Sequence, residues 1–384
     1  MLLVFSTRDY KLARREVPGF PILLNSDMSS CYEANEFFRF YLQRAAIESR
    51  KSWGPIAQSI YDYFGFLEAH ELSWTDVDRG EDKNLLAAYR DYSFDVAKQR
   101  RNTIRLRLTY ICEFYKYALR RNWIDVLPQT YEKRHVTQVA SGFLAHLSGT
   151  DGTVETNSAM PRKHKDLVKF LSIQQARQLL QAATNEHHKA LMRLALSTGL
   201  RREELATFPL AYVFDPDQKK LKDANVAVTL DPEDGTGMRT KGSKRRVIYM
   251  ARDVMKGLKR YADHLRGERA SLCADQHASL FLNQYGRPFA QDGKAIEAIV
   301  RKIGQRIGVP IHPHMLRHTY ATHTLSSLQR RGGRGRRTEP LVFLQQQLGH
   351  ASLSTTMVYL HMVNDVADEA VLAYDAEICS WDEE

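Results

Sequence analysis

The chain has 384 residues, of which 43% are hydrophobic and 10% aromatic, so it is long enough and apolar enough for two or three folded domains. Lysine and arginine number 55 against 45 aspartate and glutamate residues, and the net charge of +10 favours a polyanionic partner, nucleic acid ahead of an anionic membrane. The four cysteines are far apart and lack a CxxC spacing, which argues against a disulfide framework or a zinc ribbon and favours a reducing cytosol.

The first residues, MLLVFSTRDYKLARR, contain too short an apolar run for a signal peptide, and no later segment approaches an apolar membrane span. We therefore expect a cytoplasmic protein that makes no membrane contact. Residues 1–29, which include the Pro-containing stretch VPGFPILL, are predicted to form an N-terminal extension.

A helical domain is predicted over residues 30–147. Apolar residues recur there at helical spacing and form two stripes, in a region rich in aromatic side chains. The stripes consist of Ile56, Ile60, Phe64 and Leu67, and of Ile104, Leu108, Ile111, Tyr115 and Ala118.

Arginines flank the second stripe. They would contact phosphates if this face meets a duplex, and the alternative is a solvated basic face without a dedicated partner. The DNA contacts predicted from this helix are Arg100, Arg101, Arg105 and Arg107.

The composition then changes. Residues 148–165 are rich in Gly, Ser, Thr and Asn, which is typical of an interdomain linker, so a second domain is predicted over 166–384. Its helical pattern begins with Ser172 as an N-cap and ends near Gly199. Two β-strands, 225–230 and 246–250, follow around a Gly-rich basic turn, and beyond Arg252 the chain is predicted to be helical to its end.

Functional groups in the second domain suggest a phosphate-handling site with a nucleophile. Guanidinium groups bind the charge that develops on an attacked phosphate, a lysine on a hairpin turn can protonate the leaving oxygen, and a tyrosine can attack if a histidine accepts its proton. The arginines are Arg201 and Arg317, the general acid Lys241, the nucleophile Tyr359, and the acceptors His314 and His350.

Each group also has a structural explanation. The TGLRREEL stretch can simply join two helices, Lys241 can be an exposed hairpin lysine, and Tyr359 can be a half-buried ring of a helix that starts near Ser354. The four histidines of HPHMLRHTYATH suggest zinc, but no glutamate lies between His314 and His318 as in a metalloprotease helix. GxGxxG and Walker patterns are absent, and no metal or other cofactor is predicted.

In order and in residues, the second domain closely resembles the tyrosine recombinase (phage integrase) family. That family has an arginine in a TGLR turn, a lysine in a hairpin turn resembling GKG, and the motifs HxLRHTxAT and LGHxxxxTTxxYxH. In this chain they correspond to Thr198–Arg201, Thr240–Gly242, His314–Thr322 and Leu348–His361.

The resemblance implies a mainly α protein with a small β-sheet, in which a helical core-binding domain and an α+β catalytic domain form a C-shaped clamp on DNA. Arg201 and Arg317 would bind the scissile phosphate, and Lys241 would be the general acid. His314 and His350 would support the transition state. Tyr359 would form a 3′-phosphotyrosyl bond, and strand exchange would pass through a Holliday junction.

Two segments depart from the family or go beyond its motifs. An arginine-rich stretch, residues 328–340, replaces the short connection that the family usually has between the HxLRHT and LGH motifs. It can be a flexible loop that contacts phosphates, and the alternative is a disordered insertion without a dedicated contact. An amphipathic helix near the C-terminus is predicted to hold a homotetramer together on DNA, with docking on its own domain as the alternative. Further DNA contacts are predicted at Lys244, Arg245, Arg330, Arg331, Arg334, Arg336 and Arg337.

The predicted function is site-specific recombination of double-stranded DNA, with integration or excision of a mobile element preferred to resolution of replicon dimers. A type IB topoisomerase and a catalytically inactive DNA-binding protein are the alternatives. The other partners expected are accessory DNA-bending or directionality factors, and the cytoplasmic protein is expected to associate with the prokaryotic nucleoid when it is bound to DNA. The recognised DNA sequence does not follow from the chain, because base readout depends on side-chain placement in the grooves.

Overall fold

The computed structural model describes residues 1–12, 14–44, 47, 49–78, 84–128, 131–135, 153–162, 168–220, 223–330 and 339–360, with the backbone alone at 131–135 and 153–156. The chain divides into two compact units, Met1–Asp166 and Leu167–Glu384. Helices form most of the described part of both units, and each sheet there has only two strands. The predicted mainly α class with small sheets is confirmed.

The first unit begins with short strands that the sequence did not predict. Strand β1 (Leu2–Phe5) pairs with β4 (Pro21–Leu24) in antiparallel register, and β2 (Lys11–Leu12) pairs with β3 (Arg15–Glu16) between them. These strands of two to four residues are too short to show an alternating pattern.

The segment that was predicted as an extension contributes to the core of the first unit. Phe20 and Leu23 are buried against the helices that follow. Asn35 fixes the end of β4, since its side chain accepts from the Leu23 N–H and donates to the Leu23 carbonyl, both at 2.8 Å. Residues 20–24 therefore pack as part of the helical unit.

In the described part of the first unit four α-helices form the body, and both predicted apolar stripes are buried in them. Aromatic rings dominate the core, where the hydroxyls of Tyr63 and Tyr115 share a hydrogen bond of 2.6 Å that satisfies both buried groups. The helices are α1 (Tyr32–Leu42), α2 (Trp53–Ala69), α3 (Leu85–Asp95) and α4 (Arg101–Arg120).

The predicted linker contains a strand. Residues Thr153–Asn157 form β6, which pairs with β5 (Tyr131–His135). The Asn157 side chain donates to the Cys112 sulfur on α4 at 3.1 Å, so this end of the hairpin rests on the helical unit. The polar and β-branched residues of β6 have a composition that is also typical of a linker. Only the pairing with β5 distinguishes the strand from a linker.

In the second unit, the helical pattern that starts at Ser172 belongs to two helices. Ser172 forms a capping box with Gln175 at the start of α5 (Ile173–Ala182), as its sequence position predicted. The Asn185 side chain then caps a new helix, α6 (Glu186–Thr198), which ends at Gly199. The short α7 (Arg202–Ala206) follows at once.

The predicted β-hairpin is confirmed. Strand β7 (Asn225–Leu230) pairs with β8 (Arg246–Ala251), with Asn225 opposite Ala251 and Leu230 opposite Arg246. A short 3₁₀ turn, Lys241–Ser243, lies in the connection between them.

The prediction of helix from Arg252 to the end is wrong for residues 271–293, which have no helix. Buried arginines hold this segment instead, since Arg266 donates to the Ser279 carbonyl at 2.9 Å and Arg269 donates to that of Leu282. The helices of this half are α8 (Arg252–Asp263), α9 (Leu265–Ala270), α10 (Lys294–Arg306), α11 (Pro313–Arg330), α12 (Pro340–Leu348) and α13 (353–360).

The predicted C-terminal helix and most of the arginine-rich stretch lie outside the described residues. Within the residues that are described, no helix combines the length and the apolar character needed to cross a membrane.

Candidate active site

Tyr359 lies on α13, in a small apolar cluster with residues of α11 and α12. Its side chain is only 2% exposed and packs with Ala321, Leu325 and Leu344. Its hydroxyl contacts Nδ1 of His318 at 2.9 Å. Burial raises the pKa of Tyr359, and the nearby positive charges of Arg317 and Arg201 oppose that rise.

Arg317 occupies the centre of the site and is 1% exposed. Its two terminal nitrogens donate to the carbonyls of Gly199 and Leu348, each at 2.7 Å, which fixes the plane of the guanidinium. The remaining nitrogen, Nε, is buried and has no hydrogen-bond partner among the described residues. Burial, followed by repulsion from Arg201, lowers the pKa of Arg317 to about 9, so it remains charged at neutral pH.

Two glycines explain why the TGLR and LGH motifs meet at Arg317. Gly199 ends α6 and Gly349 ends α12, both with left-handed backbone at φ 66° and 65°. A Cβ on Gly199 would lie 2.6 Å from the Tyr320 ring, and one on Gly349 would lie 2.8 Å from the Arg246 side chain. These close approaches leave room only for glycine.

A buried carboxylate organises the arginines around this centre. Glu204 is 1% exposed and accepts a bidentate pair from Arg246 at 2.8 and 2.7 Å. It also accepts from the backbone N–H of Arg201 at 2.8 Å and from its guanidinium at 3.1 Å. Burial alone would raise the pKa of Glu204, but Arg246 and Arg201 hold it below its ordinary value.

Arg201 is held in place while part of it stays open to solvent. Besides Glu204, it donates to the Gly349 carbonyl at 2.9 Å. Its side chain is 22% exposed, so a ligand at the surface can reach the guanidinium. Arg201 and Arg317 thus each donate to one carbonyl at the C-terminal end of α12, that of Gly349 and that of Leu348.

We expect Glu204→Gln to destabilise the second unit by about 3 kcal/mol, because the change removes the negative charge that compensates two buried or half-buried arginines. The free energy of unfolding in urea measures it. Glu233→Gln, at an exposed turn residue, is the control and should change that free energy by less than about 0.5 kcal/mol. Equal stabilities of the two variants would contradict the organising role of Glu204.

The histidines of the site are neutral at physiological pH. Burial is the main cause and nearby positive charge the second, and together they lower the pKa of His314 to about 4 and of His350 to about 3. His314 lies at the rim of the site and is exposed by surface area, but its ring packs against that of His318 with centroids 4.2 Å apart, and this packing is the partial burial that lowers its pKa. The His350 ring lies nearly parallel to that of Tyr359, with centroids 6.2 Å apart, and its Nδ1 contacts the Thr356 hydroxyl at 3.0 Å.

Lys241 lies on the 3₁₀ turn between β7 and β8 and is exposed. Its positive charge contributes to the lowered pKa of His314, which places the turn near the histidine rim of the site. Within the described residues it makes no salt bridge, so its ammonium group is available to a ligand.

The structure thus groups Arg201, Arg317, His314, His350 and Tyr359 around one centre, with Lys241 at its edge. Three residues of the same cluster were not among the predicted site residues: His318, Glu204 and Arg246. His318 stands one helical turn after His314 in the same motif, which is the available sequence signal for it.

The arginines predicted to contact DNA from α4 have different surroundings. Arg107 pairs with Asp62, and Arg105 donates to the Pro161 carbonyl at 2.7 Å, so both have partners inside the first unit. Arg100 and Arg101 are exposed.

In the second unit, Lys244 and Arg330 are exposed, and Arg245, 71% exposed, makes a loose salt bridge of 3.4 Å with Asp231. The predicted contacts Arg331, Arg334, Arg336 and Arg337 lie outside the described residues.

A possible metal-ligand group occurs away from these residues. Cys273, Asp275 and His277, in the segment after α9, have ligand atoms that all lie within 4.8 Å of one another. Among the described residues it is the one group of three or more such ligands, and the four histidines of the α11 motif do not form another.

Comparisons of sequence agree with this geometry. Residues 169–365, just over half the chain, match the phage integrase family. The tyrosine recombinase XerC of Lacticaseibacillus casei is 27% identical over 334 residues, which cover 85% of this chain and 92% of that protein. XerC of Pseudomonas fluorescens is 32% identical over 213 residues, or 54% of this chain and 60% of that protein.

Solved structures share the fold. A XerH site-specific recombinase bound to a palindromic difH substrate, in a post-cleavage complex, has a TM-score of 0.55 at 16% identity and covers 90% of this chain and 88% of that one. A lambda integrase (75–356) dimer bound to a COC′ core site also has a TM-score of 0.55, at 14% identity, covering 85% and 94%.

Proposed function

The chain belongs to the phage integrase family, whose relatives are tyrosine recombinases, and we propose that Tyr359 is the nucleophile with which it cleaves and rejoins duplex DNA. The observation that carries the assignment is the surroundings of Tyr359. The positive charges of Arg317 and Arg201 act on its hydroxyl, and two neutral histidines contact it: His318 at the hydroxyl and His350 at the ring. The chain is a site-specific recombinase.

The scissile phosphate binds between Arg317 and Arg201. In-line attack places extra negative charge on the nonbridging oxygens, and preorganised guanidinium donors stabilise it more in the transition state than in the ground state. The Nε of Arg317 is buried without a hydrogen-bond partner in the described part of the chain, and it can donate to a phosphate oxygen. His314 and His350 donate to the same oxygens from the rim.

Attack by the Tyr359 oxygen forms a bond to phosphorus and breaks the bond to the 5′ oxygen of the next nucleotide. Lys241 protonates that leaving oxygen, since it is an exposed donor on the β7–β8 turn and its charge acts on His314. The 3′-phosphotyrosyl bond preserves the energy of the phosphodiester, so the 5′-hydroxyl of a partner strand reverses the step without ATP. Two such exchanges make and resolve a Holliday junction.

Integration or excision of a mobile element is the proposed biological role. The arginine-rich stretch and the N-terminal strands support this role, because they are features that a recombinase adapted to the DNA of one particular element would have. Resolution of replicon dimers is the second candidate, and the XerC relatives keep it open. Inverted repeats at the ends of an element next to the gene would decide for the first role.

The function can be tested without knowing the DNA site. Duplexes that the protein binds are selected from a random-sequence pool and rebuilt with a nick, so that cleavage releases a short fragment and traps the protein. We expect a covalent adduct on selected duplexes and none on scrambled ones. Relaxation of a supercoiled plasmid that lacks the selected site would instead indicate a type IB topoisomerase.

The arginine-rich stretch is proposed to contact DNA phosphates. Replacing Arg330, Arg331, Arg334, Arg336 and Arg337 with alanine should weaken binding and reduce the slope of log K against log salt by up to about 4.5, because each lost phosphate contact removes about 0.9. Lysine at the same five positions keeps the charge and is the control. An alanine variant with the wild-type slope would refute the proposal.

Homotetramer formation through the C-terminal helix is likewise a proposal, based on its amphipathic sequence. A chain that ends at Asp365 should bind single sites normally and lose recombination of paired sites. A chain that ends at Trp381, which lacks only the acidic residues 382–384, should retain both activities. Normal recombination by the shorter chain would show that the helix is not the tetramer contact.

A further inference from the structure

The nearest hydrogen-bonding partner of the Tyr359 hydroxyl is not one of the predicted acceptors. His318 Nδ1 contacts that hydroxyl at 2.9 Å. The His350 ring lies face to face with the Tyr359 ring, and its Nδ1 contacts Thr356 instead. His314 stands one turn earlier on α11, and its ring contacts that of His318, which in turn contacts the Tyr359 ring.

The surroundings of His318 keep its ring neutral. Burial is the first cause and nearby positive charge the second, and the pKa of His318 falls to about 3. A neutral imidazole has one nitrogen without a proton, and such a nitrogen can accept from a phenol. The charged or titratable groups that face it are His312, His314, Arg317, His350 and Tyr359.

We propose that His318 is a catalytic residue whose Nδ1 accepts the Tyr359 hydroxyl proton during cleavage. This inference rests on the proposed function and adds the base that the reaction needs. As the Tyr359 oxygen bonds to phosphorus, its proton moves to His318 Nδ1, the bond from phosphorus to the 5′ oxygen breaks, and Lys241 protonates that oxygen. In rejoining, the imidazolium returns its proton to Tyr359.

The charges around His318 make its ability to accept a proton depend on bound DNA. Without a ligand, Arg317 and the neighbouring histidines disfavour a positive His318. A phosphate between Arg317 and Arg201 adds negative charge close to these groups and so favours the imidazolium. His318 therefore holds Tyr359 in position in the free protein and accepts its proton only when a phosphodiester is present.

Two substitutions separate holding the hydroxyl from accepting its proton. His318→Asn places an amide oxygen near the position of Nδ1, so it can accept the hydrogen bond but cannot take the proton. His318→Leu fills the space and does neither. His323→Gln on the same helix is the control, because His323 contacts the Leu171 carbonyl and glutamine can donate to it.

The readout is the rate of adduct formation on nicked duplexes whose scissile 5′ oxygen is replaced by sulfur. A thiolate leaves without a general acid, so the pH profile reports the base alone. At pH 7 we expect His318→Asn to be slower than wild type by about 100-fold or more and His318→Leu to be at least as slow. Between pH 7 and pH 9 the wild-type rate should be flat, whereas that of His318→Asn should rise about tenfold per pH unit, because hydroxide then removes the proton.

Several results would overturn the inference. If wild type forms an adduct and His318→Asn matches its rate and pH profile, His318 is not the base although the proposed function stands. If wild type forms no adduct on any selected duplex, both fail. Should the variants not fold, ¹⁵N spectra of histidine-labelled wild-type protein decide: an unprotonated Nδ1 at His318 is expected, and a protonated one contradicts the proposal.

Discussion

Tyr359→Phe should abolish the covalent protein–DNA adduct while leaving affinity for the selected duplex within about threefold of wild type. Phenylalanine keeps the ring that packs with Ala321 and Leu344 and removes only the hydroxyl that contacts His318. The expected loss of stability is about 1 kcal/mol, the usual contribution of one hydrogen bond. Denaturing gel electrophoresis of the nicked-duplex reaction measures the adduct.

Tyr249→Phe is the matched control for this change, because Tyr249 lies on β8 with its side chain 45% exposed. It should form the adduct at the wild-type rate. An adduct that survives Tyr359→Phe would mean that another residue is the nucleophile. The cluster around Arg317 would then not be the site of cleavage.

Lys241→Ala should slow cleavage of ordinary DNA by about 1000-fold, and replacing the scissile 5′ oxygen with sulfur should restore the rate to within about tenfold of wild type. An alkoxide leaves poorly without a proton, whereas a thiol has a pKa near 8.5 and leaves as the thiolate. Single-turnover rates on the two substrates measure the effect.

Lys244→Ala provides the comparison, because Lys244 is another exposed lysine three residues along the same connection. It should lose some DNA affinity without any rescue by sulfur. Equal slowing of Lys241→Ala on both substrates would show that Lys241 binds DNA and that the leaving oxygen receives its proton from another group.

Much of the second unit follows from local sequence. The β7–β8 hairpin has alternating apolar residues and a Gly-rich turn, and the Ser172 capping box is complete within four residues. The catalytic motifs are also short segments, so their residues could be named before their positions were known. Local patterns predict well those structural features that a few consecutive residues determine.

The parts that the sequence did not reveal depend on distant partners. Glu204 and Arg246 are 42 residues apart, and only the fold brings them together. His318 looked like one of four motif histidines until α13 placed the Tyr359 hydroxyl beside it. Residues 271–293 are held by buried arginines of α9, which no local pattern reveals, although the Gly286–Arg287–Pro288 and Asp292–Gly293 turn signals in this segment do argue against a continuous helix.

The most direct test of the account is to locate the covalent bond itself. The adduct from a nicked selected duplex is digested with nuclease and protease, and the modified peptide is sequenced by mass spectrometry. The account predicts a nucleotide joined through its 3′ phosphate to Tyr359 in the peptide that contains LSTTMVYLH. A nucleotide on any other residue, or a bond through a 5′ phosphate, would contradict it.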